Sequence, residues 1–112
     1  MTMETDRELL ELAAKAAGKT LRYNYLGTQD ARYTWRPLED DGEALRLAVE
    51  LKLSIFPPEG DNGDFAVASV PDGVLDDFGE TWFQENVKDG DKLAATRRAI
   101  VRAAAEIGRS MP

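Results

Sequence analysis

The chain has 112 residues, a formal net charge of −7, and neither histidine nor cysteine. That length suits one domain, spanning residues 1–112, that buries its own hydrophobic core without a metal or disulfide staple. The missing side chains exclude an imidazole base, a thiolate nucleophile, structural disulfides and any Cys/His zinc site.

The longest uninterrupted apolar runs are a few residues, far short of the roughly 20 that cross a bilayer, so no membrane association is expected. The N-terminal stretch runs straight into charged amphipathic sequence, without the basic and apolar regions of a secretion signal. With no cysteine to oxidise, the natural setting is a reducing cytoplasm. Charge is unevenly distributed. Residues 1–38 carry 5 acids and 6 bases, residues 39–91 carry 15 acids and 3 bases, and residues 92–112 carry 1 acid and 5 bases. An acidic middle is thus flanked by a near-neutral start and a basic end.

In chain order, Thr5 and Glu8 have capping-box spacing. Leu9, Leu12, Ala13 and Ala16 then recur at helical intervals, which predicts a helix over 6–17 stopped by Gly18. Alternating aromatics over 21–26 and again over 31–35 predict a hairpin turning at 27–30. After Pro37, Asp40 or Asp41 caps a second helix near 41–52 that carries Ala44, Leu45, Leu47, Ala48, Val49 and Leu51. Short strands follow at 53–56 and 65–70, separated by a polar segment dense in turn residues. The second of these is apolar on both faces, which places it centrally in the sheet. Residues 71–90 are punctuated by proline and glycine, and one short strand or helical turn is expected near 80–86. A last helix begins at Asp91 and sets Leu93, Ile100, Ala104 and Ile107 on one side, with Gly108 after it. Three helices against an antiparallel sheet of four to five short strands make an α+β fold.

No motif with catalytic spacing appears. The segment around Asp61 and Asp64 fails the calcium-loop pattern, because Gly63 falls where an early ligand belongs and no glutamate closes the loop. Neither glycine-rich phosphate loop occurs, and no cofactor or metal site is expected. Paired carboxylates remain the one catalytic option, against the simpler reading of caps, turns and solvated charge.

Recognition is better supplied. Glu59, Asp61, Asp64, Asp72, Asp76, Asp77 and Glu80 form a dense carboxylate set that imitates a nucleic-acid backbone if the side chains share one face. Helical spacing places Arg98, Arg102 and Arg109 in one stripe on the last helix, suited to phosphates, to an acidic partner, or simply to solvent and the helix C-terminus. Arg97 falls at the edge of the apolar face, where its stem can cross the core and its head can pair with an acid from the middle segment. Tyr23, Tyr25, Tyr33 and Trp35 concentrate aromatics in the predicted hairpin. Any of these that project outward, with Trp82 or Phe83, mark a partner surface.

Three stretches, RELLELAAKAAG (residues 7–18), WRPLEDDGEALRLAVEL (35–51) and ATRRAIVRAAAEIG (95–108), resemble short phage- and prophage-encoded accessory proteins of the NinX-like kind. They span under half the chain. The family offers no catalytic residues to carry over. The resemblance implies a setting, a bacterial cytoplasm in which a small acidic protein redirects or blocks a host factor.

The expected function is therefore non-catalytic binding of a host protein, as an inhibitor or modulator of host defence or transcription. Two alternatives belong to other classes. One is nucleic-acid binding through the last-helix arginines, against which the overall charge argues. The other is a small carboxylate-dependent enzyme. Homo-oligomerisation through an exposed aromatic hairpin is compatible with all three.

Overall fold

Each helix starts where a side-chain oxygen is placed to cap it. The computed structural model describes residues 5–30, 34–59, 64–75 and 79–112. Helix α1 (Asp6–Ala17) opens on Thr5, whose hydroxyl accepts from the Glu8 amide at 3.1 Å, and closes on Gly18 at φ 68°. Helix α2 (Asp41–Glu50) opens on Asp40, which accepts from the Glu43 amide at 2.9 Å. Helix α3 (Lys92–Ser110) opens on Asp91, which accepts from the Ala94 amide at 2.9 Å. These caps satisfy amides that a helix leaves unpaired in its first turn.

Helix α2 ends short of the predicted residue 52. Lys52 takes a left-handed φ of 59°, and the Leu53 amide donates back to the Ala48 carbonyl at 2.9 Å, which closes the helix and turns the chain into the sheet.

Three strands follow, β1 (Ser54–Phe56), β2 (Phe65–Val70) and β3 (Thr81–Asn86), in the order β1-β2-β3 with both pairings antiparallel. The central position of β2 matches its apolar sequence. Four to five strands were too many for the described residues, and the shortfall lies in the predicted aromatic hairpin. Residues 21–30 form one isolated bridge, Tyr23 to Gln29, instead of a ladder. The Asn24 side chain accepts from the Leu26 and Thr28 amides and tightens the turn around Gly27, which takes φ 83°. Gln29 then spends its amide on Trp35, donating to its carbonyl at 3.0 Å and accepting from its N–H at 2.8 Å. Backbone bonds from the Asn24 amide to the Thr28 carbonyl at 2.8 Å and from the Asp30 amide to the Arg22 carbonyl at 2.7 Å flank the Tyr23–Gln29 bridge, so residues 22–30 make a tight two-armed turn, shorter than the ladder that alternation suggested. Residues 31–33 of that hairpin, Tyr33 included, lie outside the described residues.

Helix α3 is the axis of the molecule and packs against α1, α2 and all three strands. Ala95, Ala99, Ile100, Val101, Ala103, Ala104, Ala105 and Ile107 are buried around most of its circumference. Small residues permit close approach: Ala66 and Ala68 line the inner face of β2, and Ala13 and Ala14 line α1. Gly108 is part of α3 and does not terminate it. A Cβ there would stand 1.9 Å from the Leu12 carbonyl oxygen, so its role is helix contact. Leu93, expected in the core stripe, is exposed, as are Leu45 and Val49 on α2.

Candidate functional site

Strand alternation divides the sheet into two unlike faces. The inner face carries Ile55, Ala66, Ala68, Val70 and Phe83, which pack toward the helices. The outer face carries Phe56, Phe65, Val67, Ser69, Trp82 and Gln84. Trp82 is 55% exposed, Phe56 47% and Phe65 46%, a concentration of open aromatic surface on one side of a small sheet.

Phe56 and Trp82 come from the two outer strands, whose backbones stand roughly 10 Å apart across β2. Their ring centroids are nevertheless only 5.2 Å apart with 28° between planes, so both rings lean over the central strand and stack. Ser69, opposite Trp82 in the register, is 1% exposed, and its hydroxyl has no hydrogen-bond partner. A buried polar group left in that state is disfavoured, which makes Ser69 the one anomaly in the middle of an otherwise satisfied sheet.

Of the acidic residues singled out in the sequence, the four that are described fall at opposite ends of the sheet. Phe56 and Phe65 lie at one end of the sheet, followed by Glu59 and preceded by Asp64. Val70 and Thr81 lie at the other, followed by Asp72 and preceded by Glu80. Six-residue strands separate these two rims by about 17 Å. Glu59, Asp64, Asp72 and Glu80 are all exposed, and none forms an ion pair among the described residues. Asp61, Asp76 and Asp77 lie outside the described residues. The described carboxylates therefore stand at both ends of the sheet that carries the aromatic face.

The arginines of α3 sit in a different layer. Arg98 reaches Asp6 of α1 at 2.8 Å and Glu85 of β3 at 3.0 Å. Arg102 joins the same Glu85 at 3.4 Å and donates to the Gln84 carbonyl at 2.9 Å, covering part of the free edge of β3. The hydrogen bond and charge of Asp6, aided by Glu85, hold the Arg98 guanidinium above its ordinary pKa against the opposing effect of partial burial. Arg109 pairs with Glu106 at 3.3 Å. Arg98 and Arg102 of the predicted stripe thus tie α3 to α1 and β3, while Arg109 pairs within α3. Arg97 behaves as its position at the edge of the core implied, donating to the Leu38 carbonyl at 2.8 Å and pairing with Asp41 at 2.6 Å.

A cavity of about 580 Å³ opens between α1, the 21–38 segment and the start of α3, lined by Arg7, Tyr23, Arg36, Arg98, Asp6 and Glu39 among others. Each of its arginines is engaged: Arg7 pairs with Glu11 and lies 4.0 Å above the Tyr23 ring, Arg36 pairs with Glu39, and Arg98 with Asp6. Asp6 and Glu39 are well solvated as well as paired, unlike the dry and opposed environments that set one carboxyl as acid and another as base. Among the described residues no three histidine, cysteine or acidic side chains converge as metal ligands. No helix in them is long and apolar enough to cross a membrane.

Of the predicted aromatic markers, Trp82 lies on the outer face and Phe83 on the inner. Trp35 is buried and Tyr25 projects into solvent. Phe56 and Phe65 were not singled out by sequence reasoning. The available signal was their position as the first aromatic residues on either side of residues 57–64, which antiparallel pairing brings to one end of the sheet. Comparison of the chain with family models, with curated proteins and with solved structures finds no match.

Proposed function

We propose that this chain is a non-catalytic, phage-encoded accessory protein that works in a bacterial cytoplasm by binding a host protein, as an inhibitor or modulator of host defence or transcription. The observation that carries the reading is the half-exposed Phe56–Trp82 stack on a sheet face that the helices do not cover. Aromatic side chains with large open area and little conformational freedom are the usual anchors of protein interfaces. The absence of imidazole and thiol from the sequence and the resemblance to NinX-like accessory proteins support the same reading.

Affinity capture from a bacterial lysate tests it. The wild-type chain should recover a stoichiometric protein that the Phe56→Ala/Trp82→Ala variant does not. Equal recovery by both, or nothing above background with either, contradicts the proposal. Sedimentation of the free chain, run alongside, reports whether a second copy takes that face.

A further inference from the structure

Ion pairs concentrate around the helices and the inner face of the sheet. Around the helices Asp6, Glu11, Glu39, Asp41 and Glu106 each meet an arginine, as does Glu85 on the inner face of β3, while Glu8 and Glu50 meet none among the described residues. At the two rims of the sheet Glu59, Asp64, Asp72 and Glu80 meet none among the described residues and outnumber the exposed Lys52 and Lys88 that flank the same strand ends. Between those rims lies the ring stack, and beneath it the unpartnered Ser69 hydroxyl.

We infer that the outer sheet face docks a basic segment of a partner protein, with an arginine or lysine side chain seated on the Phe56–Trp82 stack and flanking cations held by the carboxylates at each end. The inference rests on the partner-binding reading above and adds the chemistry of the partner. An aromatic face attracts a cation through its quadrupole, and the molecule already uses that geometry where Arg7 lies over Tyr23. The rims stand about 17 Å apart, a span covered by five or six residues of extended chain. Partner and face are then complementary in sign at three points, the pattern that steers encounter and fixes register. The same carboxylates repel nucleic-acid phosphates. They also repel a second copy, which would bring identical acidic rims to the contact. The Ser69 hydroxyl gains its missing partner when the Trp82 ring shifts toward the incoming cation and a backbone carbonyl of the docked segment comes within reach.

Amide and indole NMR spectra of the full chain test this with three defined probes: a nine-residue peptide alternating arginine with valine, its counterpart alternating glutamate with valine, and a 20-nucleotide single-stranded DNA. The arginine peptide should shift the Trp82 indole N–H and amides of β1, β2 and β3. Trp82→Ala, and separately the Glu59→Gln/Asp64→Asn/Asp72→Asn/Glu80→Gln variant, should each weaken it about tenfold; circular dichroism checks that both remain folded. Ser69→Ala should weaken it about threefold. Higher salt should weaken binding to the wild type and leave the charge-neutralised variant less affected. The inference is overturned by absence of shifts, by shifts confined to α1 and α3, or by equal shifts with the glutamate peptide or the DNA. A dimer that buries Trp82 in sedimentation and NMR also overturns it. If Trp82-dependent lysate capture persists while the arginine peptide has no effect, the partner-binding reading stands and only its chemistry fails. Peptide binding without lysate capture gives the converse.

Discussion

The helical layer and the outer sheet face are built from similar side chains put to opposite uses. Around α3, charges neutralise one another across elements: Glu85 holds both Arg98 and Arg102, and Asp6 ties α1 to the same network. Its core-facing residues are mostly small and hidden, with Ala99, Ala103, Ala104 and Ala105 almost fully buried, while Leu45, Val49 and Leu93 lie open as single aliphatic side chains with no aromatic stack among them. On the outer sheet face the apolar residues are large and open, and the nearby acids are unpaired among the described residues. One layer spends its interactions on itself. The other leaves aromatic area and negative charge available, which is the arrangement a recognition surface needs.

That contrast is broken or sharpened by substitutions whose costs fall in different places. Gly108→Ala should have the largest effect on stability, because the added methyl meets the Leu12 backbone carbonyl and α1 must move. A loss of about 3 kcal/mol is expected from such overpacking, read as a fall in thermal midpoint on the order of 10 °C. Glu85→Gln removes the shared partner of two arginines from a carboxylate that is only 18% exposed. The expected loss is about 1–2 kcal/mol in denaturant unfolding, short of the full buried-pair penalty because Asp6 and the Gln84 carbonyl remain.

Trp82→Ala should cost less, about 1 kcal/mol, since it removes a half-exposed stacking partner. Its effect on partner capture should be complete, and a variant that loses stability but keeps its partner would erase the distinction between the layers. Ser69→Ala should have the smallest effect on stability, unchanged or raised by about 0.5 kcal/mol, because it deletes a buried hydroxyl without a partner. A large loss on chemical denaturation would mean that the hydroxyl is bonded in solution.

Much of the fold was legible because local signals carried it. The caps at Thr5, Asp40 and Asp91 mark all three helix starts, and β2 reads as a central strand from its apolar run. The aromatic hairpin was misread because alternation reports side-chain facing only. It does not show that the turn would close early, with Asn24 bonding to Thr28 and Asp30 to Arg22, or that the Gln29 side chain would then hold Trp35. Gly108 reads as a helix stop in isolation, and only the approach of α1 reveals its structural job.

The site was half legible. Composition pointed to Trp82 and to the acidic segment, but the stack depends on Phe56 crossing over β2 toward a residue 26 positions further along the chain. The arginine stripe lies on α3, where helical spacing put it, and the ion pairs it makes were not legible. Helical periodicity does not reveal that Asp6 and Glu85 approach it from two other elements.

The hydrogen-exchange footprint of the captured complex tests the central claim most directly. The account predicts that partner binding slows exchange across β1, β2 and β3 while α1 and α3 keep the protection of the free chain. Slowed exchange centred on the Arg98 and Arg102 network, with the sheet unchanged, would contradict it.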